Sequence, residues 1–322
     1  MSTTTAPPSE YHAITATCGL LDHSERGKLA LSGADAKRFL QGQVTNDVEA
    51  LEPGTGCYAA FLTPKGKMLG DLRVLATEDE LLLDTERVSL QELFNMIRRF
   101  SIGYDTELHK RTLERGLLSL IGPGAAALAG VAGLPAREHA HEARAVHRLR
   151  TRAIRTDAGV DLLCEANDTE ALRGALQHAG AVPVSADAVE CLRVERGRPR
   201  YGIDLDDTVI PQEAGLNERA VSFSKGCYVG QETVARLYYR GKPNRHLRGL
   251  RLSAGASSGD PVVLGEREVG RVASVASSPT FGEIALALIR REAPPGSTVT
   301  VGPVSAITAE VIELPFRHRE TA

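Results

Sequence analysis

One short stretch of the sequence combines several residue types that could do chemistry. Residues 222–236 read SFSKGCYVGQETVAR, with Cys227 two positions after Lys225. Gly226 and Gly230 permit backbone conformations that other residues avoid, and Gly230 precedes a predicted helix. A thiol close to a helix N-terminus and to a lysine favours the thiolate. The stretch predicts a reactive or anion-facing thiol, with a packed cysteine beside a helix cap as the alternative.

A second candidate is the carboxylate of Glu195, in the stretch LRVERGRPRYGIDLDD. It lies one turn before the end of a predicted helix, from which it could point into a cavity. A carboxylate accepts hydrogen bonds from two adjacent N–H donors, as the edge of a guanidine-like or pterin ring presents them. The alternative is a surface ion pair with Arg198 or Arg200, which are close in sequence.

Two further segments carry charged residues that could contact a ligand. Asp71 lies in the middle of a predicted strand within TPKGKMLGDLRV, where it faces either solvent or a ligand. Residues 236–251, RLYYRGKPNRHLRGLR, contain six Arg or Lys residues, no acidic residue and two tyrosines. Arginines interleaved with aromatic rings are typical of sites for single-stranded nucleic acid or a polyanionic ligand tail. A basic linker between domains is the alternative.

The cysteine pattern predicts no structural metal site and no disulfide framework. The five cysteines are dispersed, without a CxxC pair and without histidines at ligand spacing. Four of them lie in apolar or alternating segments, which predicts small core residues, so Cys227 stands apart. His246 is the only histidine near it in sequence, so a Cys–His pair could arise only through folding. P-loop and Rossmann fingerprints are absent, which implies no nucleotide cofactor.

Bulk properties are those of an ordinary folded protein. The 322 residues carry a net charge of −3, which gives no global attraction to nucleic acid or to an anionic membrane. MSTTTAPPSEYH has neither a basic nor an apolar run, so we expect a flexible tail rather than a signal peptide. The expected location is the cytoplasm, with no membrane partner.

Hydrophobic periodicity predicts the elements that position these residues. Strands are expected at KLALSG, CYAAFL, KMLGDLRVLA, LLLDT, LLSLIG and GVDLLCE, alternating with amphipathic helices such as VSLQELFNMIRRF and ADAVECLRVERG. This order indicates an α+β fold. After residue 243, short alternating runs at intervals of about 8–12 residues are typical of a small β-barrel or sandwich. The predicted organisation is a tail (1–16), an α+β region (17–242) and a C-terminal β-domain (243–322).

Taken together, these segments resemble the YgfZ family of folate-binding proteins, relatives of the glycine-cleavage T-protein (aminomethyltransferase). KGCYVGQE followed by TVAR is similar to the signature of that family. The resemblance extends to LSGADAKRFLQGQVTNDV, TPKGKMLGDLRV, LRVERGRPRYGIDLDDTVIPQEAGL and EIALALIRREAPPGSTVTV, and so covers most of the chain. The cysteine signature is specific, whereas the T-protein shares the other blocks.

The resemblance implies a three-lobed, aminomethyltransferase-like α+β fold with a C-terminal β-barrel and a central funnel that accepts tetrahydrofolate. Glu195 stands where T-proteins place the carboxylate that binds the pterin, and Tyr201 and Gly202 belong to the same block. T-proteins carry paired aspartates needed for aminomethyl transfer. Here that pair aligns with Gly70 and Asp71, so one carboxylate is missing.

The implied function is that of a tetrahydrofolate-binding accessory protein that supports iron–sulfur cluster assembly or repair in client enzymes. Cys227 would supply the functional thiol and Asp71 a catalytic carboxyl. The residues expected to bind the folate are Glu195, Tyr201, Lys225, Gly226, Tyr228, Gln231, Glu232 and Arg236. The alternatives are folate-dependent aminomethyl or one-carbon transfer, and RNA binding or tRNA modification through residues 236–251. Iron–sulfur client or assembly proteins are the expected partners.

Overall fold

The computed structural model describes residues 4–303 and 307–318. The strands of these residues are β1 (Thr4–Thr5), β2 (Gly19–Asp22), β3 (Gly27–Ser32), β4 (Gly56–Leu62), β5 (Met68–Ala76), β6 (Glu80–Thr85), β7 (Glu107–Lys110), β8 (Arg115–Ile121), β9 (His141–Val146), β10 (Leu149–Arg155), β11 (Gly159–Glu165), β12 (Val182–Pro183), β13 (Arg245–Leu252), β14 (Pro261–Leu264), β15 (Arg267–Ser278), β16 (Gly282–Arg290), β17 (Thr298–Val301) and β18 (Ile307–Ile312). The α-helices are α1 (Pro8–Ala16), α2 (Ala36–Gln41), α3 (Leu90–Phe100), α4 (Ala125–Leu128), α5 (Thr169–His178), α6 (Ala186–Glu195), α7 (Asn217–Ala220) and α8 (Gln231–Arg240).

The chain forms two compact units, and each draws on separate stretches of sequence. The barrel unit consists of the residues up to Tyr11, Ser185–Gly215, and the residues from Arg236 onward. The two-sheet unit consists of His12–Val184 and Leu216–Ala235. The sequence-based division at residues 242 and 243 instead followed the change in composition along the chain. It could not detect that α6 packs against β15 and β1, which joins residues 185–215 to the barrel unit.

A closed barrel forms the core of the barrel unit. Its strands follow the order β13, β16, β15, β14, β17 and β18, and β18 pairs with β13 to close the ring. The short β1 adds to β15 in parallel. Alternating strand residues such as Val262, Val299 and Val311 are buried inside and form one hydrophobic cluster. Alternation of this kind predicted a barrel or a sandwich, and the structure has the barrel.

Two sheets make up the two-sheet unit. One has the order β12, β2, β8, β11, β10 and β9, and the other has the order β4, β5, β6, β3 and β7. Each sheet has its own buried apolar cluster, with Leu118 and Leu162 in the first and Leu31, Leu72 and Leu83 in the second. Helix α3 packs on the second sheet. The α+β class predicted from the sequence is confirmed.

The N-terminal segment differs from the sequence-based expectation of a flexible tail over residues 1–16. In its described part, residues 4–16, the chain forms β1 and α1, and α1 buries Ala13 and Ile14. Glu10 also accepts hydrogen bonds from the backbone N–H and the hydroxyl of Ser185, at 2.7 and 2.5 Å. These contacts come from residues distant in sequence, so the polar composition of the segment gave no sign of them.

No helix in residues 4–303 and 307–318 has the length and the apolar character needed to cross a membrane.

Candidate functional site

The predicted contrast between Cys227 and the other cysteines is confirmed. Cys18, Cys57, Cys164 and Cys191 are buried, and Cys227 is exposed. Burial raises the pKa of each of the four buried thiols, because an apolar surrounding disfavours the thiolate. Cys227 therefore offers its sulfur to solvent and to other molecules.

Cys227 lies at the tip of a loop that Lys225 holds in place. The buried ammonium group of Lys225 donates hydrogen bonds to the backbone carbonyls of Gln41, Val44 and Asn46, at 2.5, 2.7 and 2.9 Å. Burial lowers the pKa of Lys225 to about 8. Lys225 was predicted to bind a ligand and to favour the thiolate. Its contacts instead indicate a structural role, because all three ammonium protons have carbonyl partners.

Backbone hydrogen bonds hold the same loop on both sides of its tip. The N–H of Ser222 donates to the carbonyl of Thr45 at 3.0 Å, and the N–H of Val229 donates to that of Gly42 at 3.1 Å. These contacts all fall on the stretch QGQVTN, residues 41–46. The sequence gives no sign of these contacts, because the stretch and the cysteine loop are about 180 residues apart in the chain. The loop thus presents Cys227 from a fixed base.

The residues after Cys227 connect the loop to α8. Tyr228 is buried, its ring centroid lies 5.1 Å from Nζ of Lys225, and burial raises its pKa to about 12. Its backbone N–H donates to Oε1 of Gln231 at 3.3 Å. Helix α8 begins at Gln231, as predicted from the sequence, and Glu232 is exposed in its first turn. Tyr228 and Gln231 therefore stabilise the turn, and Glu232 is accessible to a ligand.

Gly230 allows the sharp turn into α8 that the sequence predicted. Its φ is +85°, a conformation that favours glycine. A Cβ atom at this position would lie 2.6 Å from the carbonyl oxygen of Thr63. Gly226 is different, because nothing lies within 4 Å of a Cβ atom built there. The loop tip beside Cys227 is therefore open.

Glu195 ends α6 in the barrel unit, and its buried carboxylate receives hydrogen bonds from three side chains. Oε1 accepts from the hydroxyl of Ser278 at 2.5 Å and from the thiol of Cys191 at 3.7 Å. The hydroxyl of Tyr11 lies 2.9 Å from Oε1 and 3.0 Å from Oε2. Of Arg198 and Arg200, the two arginines considered as ion-pair partners of Glu195, Arg200 pairs with Glu190 at 3.3 Å.

Tyr201 and Gly202 lie in a turn that a buried ionic network supports. Gly202, with φ +87°, donates its N–H to the carbonyl of Leu205 at 2.7 Å. Next to this turn the buried Asp204 accepts from Arg193 at 2.7 Å and from the hydroxyl of Ser274 at 2.7 Å. This network was not predicted from the sequence, although the stretch RPRYGIDLDD contains several charged residues. Tyr201 is half-buried at the surface of the turn.

Asp71 is buried in β5, where its carboxyl group accepts a hydrogen bond from the side chain of Tyr58, Oη to Oδ2 at 2.6 Å. Burial raises the pKa of Asp71 to about 6, and the Tyr58 hydrogen bond opposes this shift. Arg73 and Asp84, on the same sheet, behave differently, since their ion pair helps to lower the pKa of Asp84 to about 2. Asp71 therefore titrates close to neutrality and can hold or release a proton. It faces the protein interior rather than bulk solvent.

Gly70 has no room for the second carboxylate of the T-protein pair. A Cβ atom built on it would lie 2.6 Å from the ring of Phe61 and 2.7 Å from Cβ of Ser89. The packing around β5 therefore leaves no space for a second aspartate at position 70.

The basic run divides into a paired part and an exposed part. In β13, Arg245 forms an ion pair with Glu213, and Arg248 forms one with Glu313, each at 3.0 Å. Arg251 donates to the carbonyl of Arg317. The basic side chains at the end of α8 and just after it are exposed, together with two aromatic rings: Arg236, Arg240, Lys242, Tyr238 and Tyr239. About half of the predicted basic surface is therefore available to an anion.

A cavity of about 360 Å³ in the two-sheet unit was not foreseen from the sequence. It lies between α3 and the segment after β7, with Leu90, Phe94 and Leu113 among its apolar lining and Arg87 and Lys110 as its basic residues. None of the predicted site residues lines it. Over the described ranges, residues 4–303 and 307–318, no cluster of three or more His, Cys, Asp or Glu side chains could hold a metal ion.

The chain matches known proteins over nearly its full length. Residues 3–225 match the GCVT N-terminal domain, and residues 245–317 match the glycine cleavage T-protein C-terminal barrel domain. The chain is 30% identical over 331 residues to an aminomethyltransferase of Rubrobacter xylanophilus, with 97% of this chain and 86% of that protein covered. It is 29% identical over 315 residues to a chloroplastic protein of Arabidopsis thaliana named as a proposed transferase, with 94% and 73% covered.

A solved structure shows the same fold. The crystal structure of glycine cleavage system aminomethyltransferase T from Bartonella henselae matches with a TM-score of 0.85 and 24% identity, covering 96% of this chain and 89% of that chain. The two domain matches together span most of the sequence, in the order expected for such proteins. The chain therefore belongs to the glycine cleavage T-protein family, with a GCVT N-terminal domain followed by a T-protein C-terminal barrel domain.

Proposed function

We propose that this protein binds tetrahydrofolate and supports iron–sulfur cluster assembly or repair in client enzymes, as a member of the YgfZ branch of its family. The observation that carries the proposal is the exposed thiol of Cys227 on a firmly held loop within KGCYVGQE. A cysteine that serves packing would be buried, whereas Cys227 is exposed. Client enzymes, or the proteins that assemble their clusters, are the proposed partners.

The chemistry of the barrel unit fits a folate. The buried carboxylate of Glu195 accepts hydrogen bonds from Ser278 and Cys191. It also accepts one from the hydroxyl of Tyr11, which a ligand can replace. A pterin ring presents two adjacent N–H donors, which match the two oxygens of such a group. Glu195 would hold that edge of the ring, with Tyr201 and Arg236 as further contacts. Tetrahydrofolate would supply nitrogen atoms that carry a one-carbon unit.

The proposed role of Cys227 follows from its surroundings. A thiol at an open loop tip can approach a partner protein or a cluster that the partner carries, whereas the four buried thiols cannot. The cluster would be the cargo of the client and not a resident cofactor of this chain. Lys225 would keep the loop in a fixed position while the thiol makes contact.

Rescue of iron–sulfur enzymes in cells that lack this protein tests the proposal. Cys227→Ser should abolish rescue while leaving tetrahydrofolate affinity unchanged, because serine preserves the size of the side chain and removes the thiol. Ser224→Ala, an exposed change in the same loop, is the matched control and should rescue fully. Full rescue by Cys227→Ser would rule out the thiol function.

A second candidate is folate-dependent aminomethyl transfer, which the pKa of about 6 at Asp71 favours, since such a carboxyl can exchange a proton near neutral pH. The name of the Rubrobacter xylanophilus relative points the same way. The missing carboxylate at Gly70 opposes it. The assay is incubation with tetrahydrofolate and an aminomethyl-loaded lipoyl carrier. Formation of methylenetetrahydrofolate that is lost in Asp71→Asn would place this activity ahead of the accessory role.

The RNA-binding hypothesis and the cytoplasmic location stay predictions. The exposed basic side chains and tyrosines at the end of α8 could bind an anionic partner. These basic side chains are about half of the basic residues in 236–251, because those in β13 are paired.

A further inference from the structure

The acceptor edge of Glu195 is covered by a hydroxyl group of the protein itself. Oη of Tyr11 lies at nearly equal distances from the two carboxylate oxygens, 2.9 Å from Oε1 and 3.0 Å from Oε2. Near-equal distances place this hydroxyl in front of the carboxylate, between its two oxygens. A ring edge with two N–H donors requires the same position.

The other contacts of Glu195 fix the direction in which its carboxylate faces. The hydroxyl of Ser278 accepts hydrogen bonds from the backbone N–H groups of Thr280 and Phe281, at 3.0 and 2.9 Å. Its own proton is therefore directed to Oε1 of Glu195, at 2.5 Å. The carboxylate is held from this side while the Tyr11 hydroxyl alone spans both oxygens, so a ligand would compete with Tyr11 and not with Ser278.

The hydroxyl of Tyr11 has a second partner that allows it to leave Glu195. Its hydroxyl also lies 2.7 Å from Oγ1 of Thr280, so it keeps a hydrogen-bond partner when it leaves Glu195. The preceding residue, Glu10, binds the N–H and the hydroxyl of Ser185 and holds this part of α1 independently of Tyr11. The side chain of Tyr11 can thus turn away without release of the helix segment that carries it.

We propose that Tyr11 is an internal competitor for Glu195, whose hydroxyl covers the acceptor edge in the free protein and is displaced when the pterin ring of the folate binds there. This inference rests on the proposed folate function. Tyr11 has one proton to share between the two oxygens, whereas a 2-amino-4-oxo pteridine edge offers one donor to each. A ring with a single donor at that edge only exchanges one hydrogen bond for another. Displacement of Tyr11 therefore lowers the affinity of every ring that binds at this edge, and only a ring with two donors gains a hydrogen bond in exchange.

The test is calorimetric titration of wild type and Tyr11→Phe with tetrahydrofolate, pterin and lumazine. Lumazine has the same bicyclic ring as pterin, with an oxo group in place of the 2-amino group, and so presents one donor. Tyr11→Phe should bind tetrahydrofolate about tenfold more tightly, since the competing hydrogen bond to a charged group is lost. Pterin and lumazine should gain affinity by the same factor, because both displace the same hydroxyl group, so the preference for pterin should stay unchanged. Tyr104→Phe, a half-exposed tyrosine that packs on Phe39, is the matched control.

The outcomes separate this inference from the proposed function. Tetrahydrofolate binding by wild type with equal or weaker binding by Tyr11→Phe would overturn the inference and leave the folate function standing. Absence of binding by both proteins would overturn both. A second readout is the NMR signal of ¹³C-labelled Tyr11, assigned by its loss in Tyr11→Phe. Tetrahydrofolate should shift that signal, and a signal that stays in place in the saturated protein would contradict displacement.

Discussion

Each of the two compact units contains a buried carboxyl group that accepts a hydrogen bond from a tyrosine, and the two differ in what surrounds them. In the two-sheet unit, Asp71 lies within β5, and its tyrosine, Tyr58, is fixed in the neighbouring strand β4. In the barrel unit, Glu195 ends α6, and its tyrosine, Tyr11, belongs to α1 and also contacts Thr280.

The surroundings of a buried carboxyl group decide whether it is suited to proton transfer or to ligand binding. Burial raises the pKa of Asp71 to about 6 although the Tyr58 hydrogen bond and the charge of Arg26 oppose the shift, which makes the group suited to holding a proton. Glu195 has several donors on one carboxylate, an arrangement suited to binding another donor. The first group thus resembles an acid or base and the second a ligand acceptor.

The largest effect is expected when a second carboxyl group is added beside Asp71. Gly70→Asp should lower the free energy of unfolding by more than about 3 kcal/mol, because the new side chain overlaps Phe61 and buries an unpaired polar group. Urea unfolding measures the change. Gly226→Asp is the matched control in open space and should stay within about 0.5 kcal/mol of wild type. Normal stability of Gly70→Asp would show that the second carboxylate is missing for another reason.

The next effect is a pH dependence that Asp71 should give to stability. Its pKa of about 6 in the folded protein lies above the ordinary value of 3.8, so the folded state binds more protons between these pH values. The contribution of Asp71 to the free energy of unfolding is fully present below about pH 4. It falls as the pH rises through 6, by about 2–3 kcal/mol in total. Asp71→Asn should remove this slope. The difference in unfolding free energy between the two proteins, measured from pH 4 to 7.5, tests it, and a constant difference would contradict the raised pKa.

A smaller effect should distinguish the two tyrosines. Tyr58→Phe should cost about 1–2 kcal/mol at pH 7 and raise the pKa of Asp71 further, because the hydrogen bond that opposes the shift is lost. Tyr11→Phe should cost less than about 1 kcal/mol, because Glu195 keeps its bond from Ser278. Denaturation curves of both variants compare them directly. A larger loss in Tyr11→Phe would show that Tyr11 stabilises the fold and is not readily displaced from Glu195.

The smallest effect is expected on the exposed cations, which touch neither carboxyl group. Replacing Arg236, Arg240 and Lys242 together by Gln should change the unfolding free energy by less than about 0.5 kcal/mol. Any binding of single-stranded RNA should lose most of its salt dependence, since about three phosphate contacts are removed. Unchanged RNA binding in the triple variant would exclude this surface as the contact.

The sequence predicted the fold well where the pattern of one element sufficed. The strand GVDLLCE and the helix ADAVECLRVE have clear periodicity, and both occur in the structure as β11 and α6. Strands β9 and β10 were missed, because their exposed positions carry arginines and their apolar residues are few. Local propensity is weak in such segments, and pairing with β11 decides their structure.

The candidate site was predictable only in its residue types. The spacing in KGCYVGQE singled out Cys227, and the structure leaves that cysteine exposed. The hydrogen bonds of Lys225 to its carbonyl partners and of Tyr11 to Glu195 join residues 179 to 184 positions apart. Contacts of this kind depend on how the elements pack, which neither composition nor spacing records.

Calorimetric titration with tetrahydrofolate of wild type, Glu195→Gln and Cys227→Ala tests the central claim most directly. We expect that wild type binds, that Glu195→Gln loses most of its affinity because an amide replaces one acceptor oxygen by a donor, and that Cys227→Ala binds as wild type does. Such a result would separate a folate site at Glu195 from a thiol function at Cys227. Absence of binding by wild type, or equal binding by Glu195→Gln, would contradict the account.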